Sequence, residues 1–302
     1  MGEENDHNST YSFTDALDRN ISLRKKNGSL SEVIISLFRD SYFIQPDAMR
    51  FAILGDLHGH ITLALNQIHK WEQFSNLKFD AILQVGDIGA FNEHTVLDKV
   101  TLEMSEKDPD ELGFKNYLNQ SKEGDFFFGE NGVLKNTPFY FINGNHDDLK
   151  LLESKNNDLN KICYYSQIEY IPSGKKITLE KKDLKSTIGS LGYTYANRDL
   201  KLISNDINIL LSHVPPKSHL NEYGDQNITE LKTILPDAFH FFGHSHDQAV
   251  SQSVPYKNQY GLNEVNIKKG ELKQSSIGFL EISQTNSQFL YLPSKLIPKK
   301  SW

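Results

Sequence analysis

Residues 51–59 read FAILGDLHG, in which the apolar run Phe51–Leu54 stops abruptly at Gly55-Asp56-Leu57-His58-Gly59. A run this short, rich in branched and aromatic residues, predicts a strand covered on both faces rather than a helix. Directly after it, Ile61, Leu65, Ile68 and Trp71 recur every three or four residues within Ile61–Phe74, the spacing of an amphipathic helix. A second apolar run, Ala81–Val85, follows. Strand, helix and strand in that order predict a crossover between parallel strands.

Working outward, three more runs have the same character: Phe139–Ile142, Ile207–Leu211 and Phe239–Phe242. Each of the five ends in a loop carrying metal-ligand side chains. After Asp56 and His58 come Gly86-Asp87, then Asn143-Gly144-Asn145-His146-Asp147, then Ser212-His213, then Gly243-His244-Ser245-His246. Ligands of α/β sheets gather at the carboxyl ends of strands, so five separate stretches can converge on one point. Each motif alone is a common turn or a structural histidine. Together they place five of the 11 histidines, two Asp and one Asn at strand ends. His7, His69, His94, His219 and His240 lack that context and read as surface or core residues, and His60, beside Gly59, is held open as a substrate contact.

Imidazole and oxygen donors without thiolate suit Mn, Fe, Zn or Mg, with Mn favoured here. Bulk properties fit a cytoplasmic, globular chain of 302 residues: 38% hydrophobic, 24% charged, one cysteine (Cys163), no apolar leader and no run long enough to span a membrane. The net charge of -7 weighs against a protein that wraps nucleic acid.

The series GDLHG, GD, GNHD, SH and GHSH, over residues 51–250, resembles the calcineurin-like metallophosphoesterase superfamily. The resemblance implies a four-layer α/β/β/α sandwich with mixed sheets and two divalent ions at the strand ends. It implies that Asp56, His58 and His246 hold the first ion, Asn145, His213 and His244 the second, and Asp87 bridges both. A metal-bridging hydroxide would then attack phosphorus, with His146 protonating the leaving oxygen. Asp147 is expected to orient His146 and raise its pKa. The substrate expected is a phosphorylated small molecule or a nucleic acid.

Protein serine/threonine phosphatases are a poor match, because Gly86-Asp87 runs into Ile88-Gly89-Ala90 instead of a GDxxDRG block. A looser similarity to RNA lariat debranching enzymes lies in the long insertion, although those typically lack an aspartate where Asp56 stands. Lys175, Lys176, Lys181, Lys182 and Lys185 could form a strip for nucleic acid or simply blunt a sheet edge. Phe126, Phe127 and Phe128 could stack bases or fill the insertion's core. A non-catalytic scaffold would show substitutions among the ligands, and none is present. The expected organisation is a polar extension over residues 1–50, with a helix after the Ser29/Glu32 capping box, then a catalytic domain over 51–302 with an insertion at 89–137. Closing strands are expected in Ser275–Leu292.

Overall fold

The computed structural model describes residues 10–14, 20–24, 47–154, 162–203, 206–217, 224–245, 258–268 and 271–292. The Ser29/Glu32 helix start and His246 lie outside them, as does His219. Strands β1 (Thr10–Thr14) and β2 (Asn20–Arg24) form an antiparallel ribbon.

The remaining strands fall largely into two sheets. The first holds β3 (Met49–Leu54), β4 (Ala81–Gln84), β5 (Phe139–Phe141), β6 (Ile168–Tyr170), β14 (Ile277–Ile282) and β15 (Ser287–Tyr291), in the order β15-β14-β3-β4-β5-β6. The second holds β7 (Lys176–Lys181), β8 (Leu184–Leu191), β9 (Ile209–Ser212), β10 (Phe239–Phe242) and β11 (Gln259–Gly261), in the order β11-β10-β9-β8-β7. Strands β3 to β6 run parallel, as do β8 to β11, while β14 and β7 join antiparallel. All five runs read as buried strands are strands, and β14 and β15 are the closing pair. A short hairpin, β12 (Ile267–Lys268) and β13 (Glu271–Leu272), precedes them.

Period-two alternation sorts the apolar side chains into layers. Phe51 and Ile53 of β3, with Leu83 of β4, meet Ile209 and Leu211 of β9 and Phe241 of β10 in the core between the sheets. Ala52 and Leu54 face the other way, onto helix α1 (Ile61–Ser75), whose Ile61, Leu65, Ile68 and Trp71 are all buried. On the far side Leu210 of β9 packs on Ile228 and Leu231 of a helix over Gln226–Ile234. Helix, sheet, sheet, helix: the expected four layers are present.

The insertion carries its own structure: α2 (Lys99–Lys107), a 3-10 turn at Pro109–Leu112, α3 (Lys115–Leu118) and α4 (Lys122–Phe128). Asp98 caps α2 by accepting N–H bonds from Val100 and Thr101, and Ser121 caps α4 through Gly124. Phe127 and Phe128 are buried in the core under α1, whereas Phe126 is half-exposed. Core filling is therefore what two of the three phenylalanines do.

The lysine strip runs along the edge strand β7, through its turn and into the start of β8, and is largely neutralised. Lys176 bonds Asp206 at 3.0 Å, Lys181 bonds Asp80 at 2.8 Å, Lys182 pairs with Asp47 and Lys185 with Glu180. Among the described residues no helix is long and apolar enough to cross a membrane.

Candidate metal centre

The loops after β3, β4, β5, β9 and β10 meet at one end of the paired sheets. Asp56, His58 and Asp87 each bring a ligand atom to within 4.8 Å of the others. Beside them, Asn145 Oδ1 stands 2.9 Å from His213 Nε2 and 2.8 Å from His244 Nδ1. Asp87 joins the two groups: its Oδ2 is 4.0 Å from His58 Nε2 and 3.5 Å from His213 Nε2. One carboxylate oxygen thus sits between imidazoles delivered by different sheets.

The donor set fits a cation. His213 is fully buried, and its Nδ1 lies 3.0 Å from the Val85 carbonyl, which can only accept. Nδ1 therefore donates to that carbonyl, and Nε2 is the ring atom that faces Asn145 Oδ1 and Asp87 Oδ2. Donor atoms converging beside the buried Asp87 carboxylate and His213 ring, with the exposed Asn145 amide, are what a positive ion placed among them would satisfy. The field at His58 says the same. Burial disfavours its charged form, yet the Glu111 hydrogen bond and the charges of Asp87 and Asp56 lift its pKa to about 9. The site attracts positive charge strongly enough to overcome burial.

Local backbone geometry is costly and specific. His58, Asp87 and His244 all have positive φ (40°, 55° and 69°). Such conformations cost of order 1–3 kcal/mol each and persist where the surroundings impose them. Close approach of the loops accompanies them here. A Cβ on Gly144 would stand 2.0 Å from Asp87 Oδ1, and one on Gly243 2.0 Å from Asp56 Oδ1. Neighbouring N–H groups complete the frame: Asp87 Oδ1 accepts from His146 N at 2.6 Å, and Asp56 Oδ2 accepts from His244 N at 3.0 Å.

Asp147 departs from its expected role. Its Oδ1 accepts from Gly89 and Ala90 N–H, and its Oδ2 from Asp87 and Gly144 N–H, at 2.7–3.0 Å. Four donors fill a carboxylate's acceptor capacity, leaving nothing for the His146 ring. Asp147 instead staples the loop after β4 to the loop after β5, and so holds Asp87 and His146 in place through the backbone. Asp147→Asn keeps the shape but offers one acceptor oxygen where there were two. Activity is expected to fall about 10–100-fold, the usual scale for outer partners of a metal site. Steady-state kinetics checks it, and an unchanged kcat/KM would contradict the staple.

His146 is half-buried, with its ring 5.3 Å from that of His58 and nearly edge-on to it. The ring of His60 is engaged at both nitrogens, Nδ1 with the Leu57 carbonyl and Nε2 with Asp108 Oδ2, both at 3.0 Å. It clamps the first loop to the insertion. Three residues near the centre carried no signal in the sequence reading. Glu111, in the 3-10 turn, reaches His58 Nδ1 at 3.5 Å. Tyr193 places its ring 5.7 Å from that of His244 and 6.0 Å from that of His213. His240, inside β10, supports Ser212 from beneath.

A family model for calcineurin-like phosphoesterases matches residues 49–248, about two thirds of the chain. The chain belongs to the calcineurin-like phosphoesterase family. The match begins at β3 and ends just past the GHSH motif, so it contains every candidate ligand. A curated relative, UPF0046 protein K07C11.7 of Caenorhabditis elegans, is 40% identical over 53 residues, 16% of this chain and 18% of that protein. The chain thus matches less than a fifth of that relative's length. Two solved structures are similar at low identity. One is a predicted phosphoesterase of Streptococcus pneumoniae, with 12% identity, a TM-score of 0.35, and coverage of 81% of this chain and 89% of that one. The other is a phosphatase of Mycoplasma pneumoniae, with 10% identity, a TM-score of 0.39, and coverage of 81% and 93%.

Proposed function

We propose that this chain hydrolyses phosphoester bonds with a dinuclear divalent metal site held by Asp56, His58, Asp87, Asn145, His213, His244 and His246. The observation that carries the reading is Asp87 Oδ2 standing between His58 and His213, with Asn145 and His244 closing one side and Asp56 the other. When bound, two divalent ions would hold the phosphoryl oxygens and make water a nucleophile at neutral pH.

The chain's own residues do the rest. His146 stands beside His58 on a backbone pinned to Asp87, placed to give a proton to the leaving oxygen as the phosphorus–oxygen bond breaks. Asp147 fixes that backbone. Gly86 and Gly144 let the loops close on Asp87 and His213 without a side chain between them. In this reading manganese is the first metal to supply, the setting is cytoplasmic, and the catalytic domain spans 51–302 with 1–50 as an extension. The paired lysines of β7 and β8 favour a small phosphorylated molecule over a nucleic acid.

The test is turnover of bis-p-nitrophenyl phosphate by purified protein before and after chelation, then with Mn²⁺ restored. Chelation is expected to stop turnover and Mn²⁺ to recover it, with about two ions bound per chain by mass spectrometry. Turnover indifferent to chelation, or none with metal supplied, would overturn the proposal.

A further inference from the structure

A cavity of about 230 Å³ opens beside the candidate metal centre, with His58 and His146 in its lining. Its apolar lining is Leu57, Val100, Met104 and Val265. Val100 and Met104 come from α2, in the insertion, and both are substantially exposed, at 60% and 42%. Apolar side chains left at the surface of a pocket beside reactive groups are what a bound organic group would cover.

Its charged lining is as informative. Besides histidines, the charged side chains lining it are carboxylates, Glu111 and Glu264, and among the described residues no Lys or Arg lines it. Glu264 is paired with Lys273 at 3.2 Å, and His60, also in the lining, is paired with Asp108. Among the described residues, neither Lys nor Arg lines it to receive a second phosphate. Among the described residues no Tyr, Trp or Phe lines it, so they offer no ring of the kind that stacks successive bases. The volume lies below the ~300–1,000 Å³ typical of drug-sized ligands, which suits one ring or a short chain.

Resting on the proposed phosphoesterase activity, we infer that this cavity is the leaving-group subsite, and that it selects phosphoesters of a compact, uncharged organic alcohol. It sits on the His146 side of the centre, where the departing oxygen needs its proton. A second anionic group on the substrate would find Glu111 and Glu264 already engaged by His58 and Lys273 and, among the described lining residues, no Lys or Arg to pair with, and so be disfavoured. The insertion thereby becomes the specificity element of the domain: α2 supplies the apolar wall and the following turn supplies Glu111.

Two aryl methyl phosphodiesters with phenols of matched pKa, one bearing an extra carboxylate, test this on the full chain with Mn²⁺. The wild type is expected to prefer the neutral ester by at least about tenfold in kcat/KM, because like-charge juxtaposition is costly. Met104→Lys and, independently, Val100→Lys are expected to cut that preference severalfold, chiefly by lowering KM for the carboxylate ester. Both positions are exposed, so each variant is expected to fold. Metal-dependent turnover without the preference, or a preference untouched by both lysines, would overturn the subsite and leave the proposed activity standing. No metal-dependent turnover of either ester would remove the activity and the subsite together.

Discussion

Asp87→Asn is expected to lose at least roughly 10³-fold in kcat/KM, at or beyond the upper end of what one preorganised electrostatic group contributes. The substitution is nearly isosteric. An amide oxygen at the Oδ1 position still accepts from His146 N, and Gly144 still packs against it. What disappears is the negative charge between His58 and His213. Two divalent ions held close together would repel each other, and a carboxylate bridging them, as proposed for Asp87, would offset this repulsion. Bound metal, counted by mass spectrometry, is therefore expected to drop from about two ions per chain to one or fewer. The thermal midpoint measured in chelator should stay near that of the wild type. An Asn variant that keeps both ions and more than about a tenth of the activity would remove Asp87 from the bridging position.

The sequence carried the frame of this site because its ligands follow apolar runs buried on both faces. Such strands cannot alternate with polar residues, so β3, β4, β5, β9 and β10 announce themselves, and whatever follows them is at the sheet's end. The candidate ligands could be picked out for the same reason. Residues approaching from elsewhere were not. Glu111 lies in a charged stretch with no periodic signal, and it reaches His58 only because the insertion folds back onto Gly59. A Cβ at Gly59 would meet the Asp110 carbonyl at 2.1 Å, and one at Gly113 would meet the Gly59 carbonyl at 2.3 Å. Two glycines distant in sequence permit that contact, and neither is remarkable when read alone.

Asp147 shows a different limit. Its place beside His146 in the chain suggested a pair, yet the loop turns its carboxylate inward to four N–H groups. Adjacent residues on a tight turn rarely share a direction, and a buried carboxylate goes where donors are densest. The cavity wall was also out of reach of the sequence. Val100 and Met104 are four apart on α2, ordinary spacing for a core-facing stripe, and only the packed structure shows that they line a pocket instead.

His240 gives the second large expectation, this time on stability. It is fully buried, with Gln259 Nε2 donating to its Nδ1 at 3.3 Å and its Nε2 at 2.8 Å from Ser212 Oγ, which donates to the Val214 carbonyl at 2.7 Å. This chain of bonds is complete only with a neutral ring: protonating Nδ1 would set it against the Gln259 amide. Burial first, and the charge of Lys232 second, push its pKa down to about 3. In the unfolded chain the same ring titrates near ~6.5. Below that pH the unfolded state binds a proton that the folded state refuses, so stability falls as pH drops through 6.5 and levels off only near 3. Between pH 7 and pH 4 this one group costs about 3 kcal/mol, a substantial part of the ~5–15 kcal/mol that a domain has. Urea denaturation of wild type and His240→Gln at pH 7, 5.5 and 4 isolates the effect, because every other titrating group is common to both. The variant is expected to start less stable at pH 7 and to lose less on acidification, so that the two curves converge by pH 4. Ser212 immediately precedes His213, so His240→Gln should also loosen that ligand, raising the metal concentration needed for half-maximal activity. Parallel losses of stability in the two proteins would show that His240 is not the acid-sensitive group.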